Sequence, residues 1–140
     1  QSVAATHNAP AAIDLEIDMD WSLRIADTDT VPLALIFNEL LINCLKHRPP
    51  DSANQPVRLH LHELRGVGRL TLTCPGARLP EPFDFEQGVG LGTGLGLVKS
   101  LLPREGVTLM FRNEPDGVCC EMTLQAPVVL RGSRTPGNTC

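Results

Sequence analysis

The segment Asn38-Glu39-Leu40-Leu41-Ile42-Asn43-Cys44-Leu45-Lys46-His47 carries side chains whose types and spacing suit phosphate chemistry. Glu39, Asn43 and Lys46 fall four and three residues apart, which places them on one face of a helix. The amide oxygen of Asn43 suits Mg²⁺, a hard cation that takes oxygen ligands. A carboxylate at Glu39 could orient or deprotonate an attacking group. The ammonium of Lys46 could face phosphate. The same spacing also describes the solvated face of an amphipathic helix, and spacing by itself favours that plainer description.

A second stretch, Gly88-Val89-Gly90-Leu91-Gly92-Thr93-Gly94-Leu95-Gly96-Leu97, runs into a helical pattern. Glycines let a backbone approach a phosphate closely, and a helix N-terminus presents unpaired N–H groups with a positive dipole. Two common phosphate motifs do not fit. No register places glycines at all three positions of G-x-G-x-x-G, and Lys99-Ser100 lacks the glycine of a P-loop. A flexible linker is the plain alternative, against which stand the leucines interleaved with the glycines.

These stretches need elements to hold them. Ile13, Leu15, Ile17 and Met19 alternate with acidic residues, the period of a half-buried strand. Asp27 to Thr30 offer capping side chains before a first-turn proline, Pro32. Leu33, Ile36, Phe37, Leu40, Leu41, Cys44 and Leu45 then make one apolar helical face, which must end before Pro49-Pro50. Two alternating runs, Val57 to His62 and Arg69 to Cys74, flank Gly66-Val67-Gly68 and predict a hairpin. Residues 75–94 hold no sustained period, as in a lid or binding loop. A helix is predicted over 93–102, then strands over 107–111 and 118–124 around the turn Pro115-Asp116-Gly117. The order predicts an α/β (α+β) two-layer sandwich, its mixed, mostly antiparallel sheet carrying the helices on one face. The folded domain is expected over 13–126, with a loose lead-in at 1–12 and a loose tail at 127–140.

Composition narrows the classes. The chain has 140 residues, room for one domain with a real core, and a net charge of -4, which argues against nucleic acid as a partner. The apolar run from Val31 is broken by Asn38, Glu39 and Asn43, so no membrane span is expected, and with no basic n-region before an apolar stretch no secretory signal is expected. Cys44, Cys74, Cys119, Cys120 and Cys140 form no C-x-x-C pair, and free thiols in a reducing cytosol are the simple expectation. His60 and His62 share a strand face without an evident third ligand. Trp21 is expected to pack near the first strand, and the acidic alternation at 14–20 lacks the glycine and closing glutamate of an EF-hand.

The helix resembles the N box of the GHKL ATPases (gyrase, heat-shock chaperone, histidine kinase, mismatch repair), in the wording Asn-Glu-Leu-x-x-Asn-x-x-Lys-His found among histidine kinases. Gly92-Thr93-Gly94-Leu95-Gly96-Leu97 resembles the G2 box, and Phe83-Asp84-Phe85 the F box. Cys74-Pro75-Gly76-Ala77-Arg78 stands where the G1 box, Asp-x-Gly-x-Gly, belongs. The likeness spans roughly residues 13–125.

This resemblance implies the ATP-binding catalytic domain of a bacterial sensor histidine kinase, with ATP and Mg²⁺ bound. Glu39 would be the catalytic carboxylate and Asn43 the metal ligand. Lys46 and His47 would lie near the phosphates. Cys74 and Gly76 would flank the base, and Gly92, Thr93, Gly94, Leu95 and Gly96 would meet the phosphates. Residues 77–91 would be the lid. The γ-phosphate would pass to a histidine on a separate helical dimerisation domain of the same parent, and from there to a response regulator. Neither His7 nor His47 suits that acceptor role, so the isolated domain is expected to be monomeric and unable to phosphorylate itself. A cytoplasmic location follows, with a membrane anchor open for the parent. The G1 aspartate that accepts from the adenine amino group is Cys74 here, and the second G1 glycine is Arg78. A pseudo-ATPase kept as a signalling or interaction module is therefore the alternative implication.

Overall fold

The computed structural model describes residues 13–19, 23–52 and 54–131. Strands β1 (Ile13–Asp18) and β2 (Leu23–Ile25) precede helix α1 (Asp27–Lys46), and a short 3₁₀ turn covers Pro50–Ser52. Strands β3 (Val57–Leu64) and β4 (Val67–Pro75) follow, then helix α2 (Gly92–Leu101), β5 (Val107–Glu114), β6 (Gly117–Leu124) and β7 (Val129–Arg131). Five strands form one sheet in the order β1-β3-β4-β6-β5, with β1 and β3 parallel and the other pairs antiparallel. The expected mixed sandwich is the observed one.

The strand alternation decides which face meets the helices. Leu59, Leu72 and Cys120 stand side by side in the ladder, and so do Cys74 and Val118. These side chains pack with Leu33, Ile36, Leu40 and Cys44 of α1 and Val98 of α2 in a single core. Length and composition alone would let α1 cross a bilayer. Its buried stripe lies on the sheet instead. The opposite face is polar: Arg69 and Arg112 both reach Glu121, at 3.3 and 3.8 Å.

Turn chemistry sets the β3–β4 hairpin. Arg65 (φ 54°) and Gly66 (φ 82°) form the two-residue turn between Leu64 and Val67, a pair of positive φ values that matches the twist of the strands. The expected centre of that turn, Gly66 to Gly68, thus lies one residue late. Gly68 is instead a buried strand residue opposite Glu63.

Other boundaries also differ from expectation. The helix starts at Asp27, so Asp27 to Thr30 lie inside its first turn, and no side chain caps it. Two acidic residues in that turn face the positive end of the helix dipole, and the Thr30 hydroxyl donates to the Ala26 carbonyl at 3.2 Å. The tail expected from residue 127 is packed as far as Arg131. Val129–Arg131 pair with β2, Val128 is 1% exposed, and the Ala26 amide donates to the Val128 carbonyl at 2.8 Å. A three-residue strand is too short for its period to stand out in sequence. His7 and Trp21 lie outside the described residues.

Candidate functional site

Helices α1 and α2 pack against each other, which brings the two chemically suggestive stretches together. Glu39 and Asn43 project from α1 toward Gly94 in the first turn of α2. A Cβ at Gly94 would sit 3.1 Å from Glu39 Oε1 and 3.5 Å from Asn43 Oδ1. Both side chains are half-buried. Gly92 opens α2 at φ 72°, a backbone state that strains any residue with a Cβ, and open space surrounds it. No side chain caps this helix start, so its first N–H groups remain available for an anion.

Beside this junction lies a cavity of about 240 Å³. Asn43 of α1, His47 at its C-terminal cap, and Gly92 and Leu95 from α2 line one end, and Cys74, Leu72, Val118 and Cys120 from the sheet form the floor. Ala77 to Pro80, Gly90 and Leu91, from the segment between β4 and α2, complete the wall. Of the remaining expected residues, Lys46 and Thr93 are exposed and Gly96 is half-buried, and all three lie outside the lining. Gly76 also lies outside it. Its positive φ of 79° turns the chain out of β4, and its amide donates to Asp116 O at 2.8 Å.

The segment 77–91, expected as an unstructured lid, is tied down along its length. Arg78 donates to the Pro115 carbonyl at 2.8 Å, and Asn113 Oδ1 accepts from the Leu79 amide at 3.0 Å. Asp84 and Val89 exchange both backbone hydrogen bonds at 2.9 Å. Phe83 and Phe85 pack on Phe111 of β5 at centroid distances of 5.6 and 5.1 Å, and Lys99 lies over the Phe85 ring at 5.7 Å. Gly90 fits at the fold of this segment because a Cβ there would stand 2.5 Å from the Pro82 carbonyl oxygen.

The floor corrects an expectation. Cys44 and Cys74 are not free thiols: they form a disulfide with a Cα–Cα distance of 5.4 Å. Cys44 belongs to the apolar stripe of α1, and Cys74 points from the end of β4 toward the helix layer, so packing that stripe on the sheet sets the sulphurs against each other. The linked pair is 3% and 5% exposed. Beneath it, a Cβ on Gly117 would collide with the Cys74 carbonyl oxygen, so only glycine lets β6 start this close to β4. Cys119 and Cys120 are free and buried, and burial pushes the Cys120 thiol up to about 12. Burial also raises the Cys119 thiol, with Arg112 pulling the other way.

Sequence reasoning missed Leu40, Leu72, Phe111, Val118 and Cys120 as lining residues. Strand alternation puts the last four on the helix-facing side, but cross-strand register was needed to bring them together. His60 and His62 lie on the outer sheet face with rings 5.8 Å apart. Among the described residues no group of three or more His, Cys, Asp or Glu could hold a metal ion.

The fold is that of histidine kinase catalytic domains. The blue-light-activated histidine kinase EL346 of Erythrobacter litoralis superimposes with a TM-score of 0.66 at 22% identity, over 87% of this chain and 36% of that one. The nucleotide-free catalytic domain of the histidine kinase ThkA gives 0.62 at 17% identity, over 81% of this chain and 78% of that one. ThkA in complex with the response regulator protein TrrA gives 0.61 at 18%, over 91% and 36%. This chain therefore spans little more than a third of the light-activated kinase. No family model matches the sequence, and no curated protein matches it.

Proposed function

We propose that this chain is the ATP-binding catalytic domain of a two-component sensor histidine kinase, passing the γ-phosphate of ATP to a histidine on a helical dimerisation domain of its parent protein. The observation that carries this reading is the meeting of Glu39 and Asn43 with Gly94 beside a cavity that ends at Cys74. Asn43 offers an amide oxygen where a metal-bound phosphate chain would pass, and Glu39 places a carboxylate next to it. The donor set fits Mg²⁺, which takes oxygen ligands and keeps several waters. When bound, the ion would neutralise charge on the phosphates. Gly92 and Gly94 leave room for phosphate against the start of α2, and His47 lines the same end. The response regulator is the downstream partner in this reading, supported by the kinase–regulator complex among the similar structures.

The base end fits less well. The cavity floor carries a disulfide where the resemblance calls for a carboxylate, and sulphur is a weak acceptor. That observation favours a second reading, a pseudo-ATPase module with weak or no ATP binding. Titration calorimetry with Mg-ATP separates the two. Saturable binding that is lost in Asn43→Ala supports the kinase reading. Heat that never saturates up to about millimolar nucleotide (about -4 kcal/mol of binding) supports the module.

A further inference from the structure

We propose that the Cys44–Cys74 disulfide is a redox control of the cavity: the linked form binds nucleotide, and reduction to two thiols weakens that binding. The inference rests on the nucleotide-site reading above and adds regulation to it.

The bond joins two walls that come from distant parts of the chain, the cysteines standing 30 positions apart in sequence. Cys44 follows Asn43 directly on α1, and Cys74 is the penultimate residue of the strand that floors the cavity. Both line the cavity, so a nucleotide seated there covers the bond. In the linked state the α1 wall cannot move away from β4, and Asn43 and Glu39 stay set against Gly94. Walls that need no further ordering bind a ligand at lower entropic cost.

Reduction takes two electrons and two protons from an external dithiol. Its thiolate attacks one sulphur, releasing the other cysteine as a thiol and leaving a mixed disulfide. The dithiol's second sulphur then displaces the remaining cysteine, so the reductant leaves as a disulfide and Cys44 and Cys74 each hold a proton. With the covalent link gone, two separate thiols must fit where one disulfide sat, within a close-packed interior. The walls separate, and the thiols are too weak as hydrogen-bond partners to hold them. Cys120 also lines the cavity, but burial keeps it protonated near neutral pH, so an external thiol has to perform the exchange.

The coupling must run both ways, because a ligand that prefers the linked form also stabilises the link. The test uses the 140-residue chain with Mg-ATP as the probe, the link being verified by mass analysis of non-reduced peptides and retained folding by circular dichroism. Calorimetry before and after treatment with a phosphine reductant should show Kd rising about fivefold or more on reduction. In the Cys44→Ala/Cys74→Ser variant the reductant should leave Kd unchanged. Independently of any variant, saturating Mg-ATP should slow reduction of the Cys44–Cys74 peptide link. Affinities that agree to within about twofold, or that tighten on reduction, overturn the redox proposal alone. Absence of the link in the air-oxidised chain overturns it too. Absence of binding in both redox states overturns the nucleotide reading, and this proposal with it.

Discussion

Replacing Cys74 with aspartate and Cys44 with alanine in one variant places a carboxylate on the cavity floor and removes the thiol that would crowd it. A purine amino group left without an acceptor in a buried site costs about 1–3 kcal/mol, so supplying one should favour ATP by about five- to 150-fold. Absolute affinity is a poor readout, because the variant also loses the link between the cavity walls. The ratio of affinities for ATP and ITP, which carries oxygen in place of the amino group, isolates the base contact. Stability moves in the opposite direction. Closing a loop of 30 residues is worth about 3.6 kcal/mol in the chain-entropy model. For a domain of this size the variant should therefore melt about 10–15 °C lower. Cys44→Ala/Cys74→Ser is the matched control, unlinked and without a carboxylate. Calorimetry of ATP and ITP on both variants decides the matter. An ATP-to-ITP ratio equal in the two, with both chains folded, would mean that the base does not rest against Cys74.

Three further perturbations follow from the geometry. Gly94→Ala should raise or preserve thermal stability, since alanine is the better helix residue by about 1 kcal/mol. Its methyl group would press on Glu39 Oε1 and fill the gap beside Asn43, so Mg-ATP affinity in the same variant should fall about tenfold; calorimetry and thermal melts read the opposed signs. Gly90→Ala forces a Cβ into a φ of 78° and against the Pro82 carbonyl, and should cost about 1–3 kcal/mol. Faster hydrogen exchange at the Asp84 and Val89 amides would report the lid loosening. Finally, the folded chain holds the Cys120 proton up to about 12 while an unfolded thiol releases it near pH 8.5, so the folded state binds more protons between these values. Stability from this group is complete below the unfolded value and is lost as pH rises through the window; urea midpoints from about pH 8 to 11 should fall more steeply in the parent chain than in Cys120→Val.

Most of the scaffold could be read from the sequence because its elements repeat at clean periods. Ile13 to Asp18 and Val57 to Leu61 alternate strictly, Cys120 to Leu124 does so after the apolar start of β6, and the α1 stripe from Leu33 to Cys44 is helical in spacing. The convergence of Asn43 with Gly92 and Gly94 was also legible, since both stretches had to pack on the same sheet face. Periodicity could not supply register. Nothing in the alternation says that Leu72 stands opposite Cys120, or that Cys74 reaches the turn of α1 that holds Cys44. Five cysteines without a paired spacing read as free thiols, because a bond between distant elements leaves no local trace. Residues 77–91 looked unstructured for a related reason: their order comes from Asn113, Pro115 and Phe111, all beyond α2 in the chain.

The two ends of the cavity have different physical characters. At the α1–α2 end the groups suited to a metal and phosphates are present, and at the floor the surfaces are leucine, valine, phenylalanine and sulphur. A nucleotide held there would draw its binding energy from its phosphates and from apolar contact with the base, not from hydrogen bonds to the base edge. Apolar contact discriminates poorly between flat rings of similar size, whereas buried hydrogen-bonding groups discriminate strongly. In the proposed kinase the unmodified chain should therefore accept ATP, GTP and ITP with affinities within about tenfold of one another. All three should depend steeply on Mg²⁺ and salt, since charge supplies most of the attraction. A competition series across these nucleotides checks this. Strong selection for ATP would require an acceptor at the floor other than Cys74, and would contradict the division of the cavity into a phosphate end and an unselective base end.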